Sequence, residues 1–154
     1  MSSVRLDIVS EMAARVAKIL KADGYNTNAG QLVFLGEAPT LGPSDAEEAI
    51  ALVVRDDAVR HQGENVFTVL PVEVQALVKA GVPGPLVAIE RVIADIKYAV
   101  EMVAGQQDHS LGGLLVPRGL ERGTTRPLER DAGSEFVGAS VEYRLSFAER
   151  WGGQ

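Results

Sequence analysis

Along the first part of the chain, apolar residues return every three or four positions: Ile8, Met12, Val16 and Ile19, with Val9, Ala13 and Leu20 beside them. That spacing lays a stripe along one side of an α-helix and leaves Glu11, Arg15 and Lys18 to water. It predicts a helix from Val4 to Lys21, capped by the Ser3 hydroxyl and stopped at Gly24. A second stripe, Ile89, Ile93, Ile96, Val100 and Val103, follows the breaker "GVPGP", whose Pro85 suits the first position of a helix. It spans too few heptads for a coiled coil, so the expectation is one face packed on a sheet. Arg91 with Asp95, and Lys97 with Glu101, read as neighbours on the solvent side.

Between and after these helices the period changes. "QLVFL" suggests a short strand, and Ala49 to Asp56 a buried one, entered through a single helical turn at the capping-box pair Ser44 and Glu47. "RHQGEN" reads as a polar loop. Val66 to Val78 has strand composition, but Pro71 cannot donate to a ladder, which predicts a peripheral strand or one interrupted there. Leu114 to Val116 can begin another. The cleanest alternation comes last: Val137, Ala139, Val141, Tyr143, Leu145 and Phe147 share one face, and Gly138, Ser140, Glu142, Arg144 and Ser146 the other. A period of two is what a half-buried strand requires. Pro117, Gly119, Gly123 and Pro127 mark an arm over residues 117–133, and Gly, Asn, Pro and Thr mark a loop over 25–43.

Helix, strands, helix, strands is the order of an α+β domain: a mostly antiparallel β-sheet with two main α-helices packed on one face, plus an extended loop and arm, in one domain over 1–154. A chain of 154 residues buries about 70% of its unfolded surface, enough for a core without metal or disulfide. The absence of cysteine excludes disulfides, thiolate metal ligands and thiol catalysis. Net charge of −6 opposes the phosphate attraction behind non-specific DNA binding. The N-terminal "MSSVRLDIVSEMAARV" lacks the basic head and apolar run of a signal peptide. No apolar stretch reaches the ~20 residues of a membrane helix.

Candidate chemistry is sparse. His61 and His109 lie in polar loops without metal-ligand spacing, although Asp108 adjoins the second. The neighbours Asp56 and Asp57, like Glu47 and Glu48, point apart and read as solvated charge. "GVPGP" has glycines, but its prolines remove the donors a phosphate loop needs. No serine sits in a nucleophile elbow. The reading is therefore no catalytic residue, cofactor or metal, and no enzyme. In the arm, Arg118, Arg122, Arg126 and Arg130 alternate with Glu121 and Glu129 without aromatics for base stacking, as at the rim of a protein interface.

The order of elements, with "AIALVVRDD", "VFTVLPVEVQALV", "PLVAIERVIADIKYAVEMV" and above all "RDAGSEFVGASVEYRLSFAE", resembles the tail terminator, or minor tail protein, family of long-tailed bacteriophages. The resemblance implies a structural virion protein assembled in the bacterial host cytoplasm. It would form a hexameric ring of its own copies on the tail-tube protein, stop tube growth and meet the head-neck connector proteins. DNA would pass through the lumen without tight binding, and no membrane is involved. It also implies that the turn at Asp131 and the outer-face residues Glu142 and Arg144 join Arg118, Arg122, Arg126, Glu129 and Arg130 as assembly surface. The alternatives are a neighbouring neck or head-tail completion protein and a non-viral small-ligand-binding α+β domain.

Overall fold

The Ser3 hydroxyl accepts the Leu6 amide at 3.0 Å and opens helix α1, Val4–Val16. In the computed structural model, which describes residues 3–36, 46–62, 65–128 and 136–148, this helix is shorter than its apolar stripe predicts. The segment Ala29–Gln31 folds back against its end: a Cβ on Gly30 would lie 2.7 Å from the carbonyl oxygens of both Val16 and Ala17. The chain instead passes through a 3-10 turn, Lys21–Asp23, and reverses at Gly24, whose φ of 92° suits glycine.

Among the described residues eight strands follow in chain order: β1 (Val33–Leu35), β2 (Glu48–Val54), β3 (Ala58–Gln62), β4 (Asn65–Lys79), β5 (Met102–Val103), β6 (Gln106–Gln107), β7 (Leu120–Pro127) and β8 (Phe136–Phe147). Helix α2, Pro85–Glu101, lies between β4 and β5 with Pro85 in its first turn. The main sheet runs β1-β2-β4-β8-β7, and β3 also pairs with β4. Its pairs are antiparallel except β1 with β2, while β5 and β6 form a separate small hairpin. The protein is an α+β fold, with both helices on one face of a mostly antiparallel sheet.

Between helices and sheet lies the core. Ile8, Met12 and Val16 of α1 and Ile89, Val92, Ile93 and Ile96 of α2 meet Ile50, Leu52, Val72, Val74, Val141, Tyr143 and Leu145. The predicted core face of the last strand is the observed one, since Val141, Tyr143, Leu145 and Phe147 have no solvent exposure. The opposite face is less wet than alternation suggests. Ser140 and Ser146 are buried, and Ala49, Ala51 and Leu77 form a second apolar cluster with Leu32, Phe34, Leu128 and Phe136. Gly138 permits that closure, because a Cβ there would stand 2.5 Å from the Ala76 carbonyl oxygen and 2.9 Å from Leu128 Cδ1. Gly138→Ala is expected to lose about 1–3 kcal/mol, the usual cost of overpacking. An unchanged denaturation midpoint would show that the sheet can yield there.

Several elements differ from their sequence reading. Pro71 lies in the longest strand, at the centre of the sheet, not at its periphery. Its carbonyl accepts the Arg55 amide at 2.9 Å, just past the end of β2, and β3 pairs only as far as Val69 on the same edge. The missing donor thus falls at the seam between two partners. "RHQGEN" begins as strand, with His61 opposite Val66. Leu114–Val116 is turn, while the arm contains edge strand β7, so Gly119–Thr125 is mostly paired backbone. Arg15 and Asp95 are buried rather than solvent-facing. Val103 has left the helix. Ser44 of the capping box and the Asp131 turn lie outside the described residues.

Candidate assembly face

The sheet face away from the helices presents a band of charge across its middle. The register sets Glu73 of β4 directly opposite Glu142 of β8, a like-charged pair that needs cations nearby. Arg55 Nη2 donates to Glu73 Oε2 at 2.9 Å, and Arg144 Nε stands 3.7 Å from Glu142 Oε1. The Arg55 hydrogen bond holds the Glu73 carboxyl below its ordinary value against the opposing effect of burial, with a further contribution from Arg126. Arg126 reaches this face because a bulge between Arg122 and Thr125 resets the β7 register, setting Arg126 opposite Ser140. Gly123 lies in that bulge, and a Cβ there would stand 2.7 Å from Glu142 Oε1. The irregularity therefore leaves room for the charged side chains of β8.

Of the residues expected to form one surface, Arg126, Glu142 and Arg144 share this face. Arg118 sits on the turn before β7, at the end of the face, with a backbone φ of 57°. Arg122 is directed to the opposite side, donating to Glu101 Oε2 at 3.1 Å. The same oxygen accepts the Tyr143 hydroxyl at 2.8 Å. Burial, then the Glu101 charge, push the Tyr143 phenol well above its ordinary value, so it stays protonated as a donor. Arg122 and Tyr143 thus tie β7 and β8 to the end of α2. Glu129, Arg130 and Asp131 lie outside the described residues.

Two polar clusters escaped the sequence reading because each joins distant segments. Arg15 donates to Glu11 at 3.0 Å, to the Val100 carbonyl at 2.8 Å and to Asp108 at 2.7 Å. Asp108 also takes the Ser110 amide and hydroxyl, each at 3.0 Å, and the Gly112 amide at 2.8 Å. Asp108 is thus a partner of Arg15. In the second cluster, Asp95 accepts the Asn26 amide and side-chain nitrogen at 3.1 and 3.0 Å and the Thr27 hydroxyl at 2.7 Å.

Beside Asp95 lies a cleft of about 440 Å³, in which the Tyr25 and Tyr98 rings meet edge to face with centroids 5.9 Å apart. Its carboxylate is already committed to three donors, so the cleft presents mainly tyrosine. Nearby Glu48 keeps one oxygen buried without a hydrogen-bond partner, and burial raises its carboxyl above the ordinary value. Among the described residues no cluster of three or more His, Cys, Asp or Glu could hold a metal ion, and no helix is long and apolar enough to cross a membrane.

Among the described residues, the α+β fold has one sheet face covered by helices and one without them that carries a band of charge. No protein-family model matches the chain, and comparison with curated proteins finds no match.

Proposed function

We propose that the protein is a structural subunit of a phage tail, a terminator that caps the tail tube as a ring and offers the surface on which the head is joined. The observation that carries this reading is the helix-free face, where Glu73, Glu142, Arg144, Arg55 and Arg126 are set by strand register and flanked by the edge strand β7. A ring subunit needs a stiff layer with polar, self-complementary surface left over, and paired strands fix such charges at little entropic cost. The resemblance of the element order and of "RDAGSEFVGASVEYRLSFAE" to tail terminators supports the same reading. Net charge of −6 suits a lumen that lets DNA pass without holding it.

Electron microscopy of lysates from a phage carrying an early stop in this gene tests the proposal. Overlong, headless tubes are the expected result. Tails of normal length that fail to join heads would assign the protein to the neck instead, and intact, infectious particles would overturn both readings.

A further inference from the structure

At one end of the helix-free face, the turn before β7 is fastened to β8 on both sides of Ser146. The Val116 amide donates to the Ser146 carbonyl at 3.1 Å, and the Ser146 amide donates to the Gly119 carbonyl at 2.9 Å. The Gly119 amide closes the turn on the Val116 carbonyl at 2.8 Å. A Cβ on Gly119 would lie 2.6 Å from the Ser146 carbonyl oxygen, so the turn sits as close to the strand as glycine allows. Arg118 occupies the apex with φ of 57°, a region that favours glycine, yet the residue there carries a long cation.

This turn and the β3–β4 hairpin enclose a cleft of about 310 Å³. Arg60 and Phe67 line it from the hairpin, Pro117 and Arg118 from the turn, and Glu121 and Ser146 from the strands. Among the described residues Arg60 and Arg118 make no ion pair, as Arg91 and Arg126 also make none, whereas Arg5, Arg15, Arg55, Arg122 and Arg144 do. Two exposed arginines without ion pairs line this one cleft and give it cationic groups for an anionic ligand.

We propose that this cleft docks an acidic peptide segment of a partner protein. The two guanidiniums take its carboxylates, and Phe67 and Pro117 take an apolar side chain between them. Guanidinium and carboxylate match in planar geometry, and the contact is strong where an apolar surface keeps water away. A nucleic acid fits less well, because two cations offer no track along a phosphate backbone. The occupant need not be a tail protein, so the cleft is tested separately from tube length.

The test is fluorescence anisotropy on the full-length protein with a fluorescein-labelled peptide of alternating Glu and Phe, beside its Gln-for-Glu counterpart and a labelled DNA hairpin. The Glu peptide is expected to bind roughly tenfold tighter than the Gln peptide at low salt, as close charge pairs do. Arg60→Gln and Arg118→Gly should each remove most of that preference, while Glu121→Gln should strengthen Glu-peptide binding. Thermal melts near wild type keep these changes separate from unfolding, since all three side chains are exposed. Equal binding of the two peptides, a double arginine variant that binds like wild type, or preference for the DNA hairpin would each overturn the proposal.

Discussion

Val141→Asp is expected to yield unfolded or insoluble protein, whereas its neighbour Glu142→Arg is expected to fold. Val141 has no solvent exposure and is paired with Val74 on one side and Thr125 on the other, under the helices. A carboxylate there has no cation within the apolar core, and such a lesion costs several kcal/mol against a total stability of about 5–15 kcal/mol. Glu142 lies on the opposite face. Its replacement by arginine loses the loose contact with Arg144 but places a cation opposite Glu73, so the net change stays within about 1 kcal/mol. Soluble yield, circular dichroism and melting of the two variants decide the matter. A folded Val141→Asp beside an unfolded Glu142→Arg would require the two faces of the final strand to be exchanged. If Glu142→Arg folds but abolishes the proposed capping of tubes, the charged face is an assembly surface.

The second large effect is expected at Arg15. Its guanidinium is almost wholly buried and serves α1, the last turn of α2 and the loop after β6 at once. Arg15→Met fills much of the space but strips the donors from Glu11, the Val100 carbonyl and Asp108. Removing one member of a buried pair typically costs about 3–5 kcal/mol; partial exposure of Asp108 and its remaining donors bring the expectation to about 2–4 kcal/mol. Burial alone would raise the Asp108 carboxyl, but the Arg15 hydrogen bond and the Ser110 and Gly112 donors outweigh it and hold the group well below its ordinary 3.8. The unfolded chain therefore takes up this proton first on acidification. The associated stability is present above the ordinary carboxylate range and is lost as pH falls through and below it. Urea titrations from pH 7 down to pH 3 should show that loss in the wild type and a shallower loss in Arg15→Met. Superimposable curves would mean the network contributes nothing measurable.

Both results depend on features that were unequally legible in sequence. The final strand was readable because one face is buried along its length, which forces alternation from Val137 to Phe147. Strand β3 was not, because the exposed residues Ala58 to His61 leave no apolar face to mark it. Strand β7 is likewise an edge whose side chains are mostly exposed, so glycine and arginine content suggested an arm. Arg15 and Asp95 sit at helical positions that usually face water. Their burial is set by Asp108 and by Asn26 and Thr27, far away in the chain. Among the candidate assembly residues, the side taken by Arg122 and Arg126 could not be read by counting in twos, because the bulge around Gly123 changes the count.

The proline in the central strand has a consequence for which structures the chain avoids. A strand can slide by two residues and still turn the same side chains inward, so burial alone does not forbid a shifted β2. In the native alignment Pro71, which has no N–H, stands opposite Arg55, an exposed residue at the strand end. Slide β2 by two in one direction and Pro71 comes to stand opposite Val53, which is 5% exposed, so that a buried carbonyl lacks this donor at a cost of about 1–3 kcal/mol. Pro71 thus acts as a ruler mark on the middle of the sheet, penalising the displaced pairing while leaving the correct one untouched.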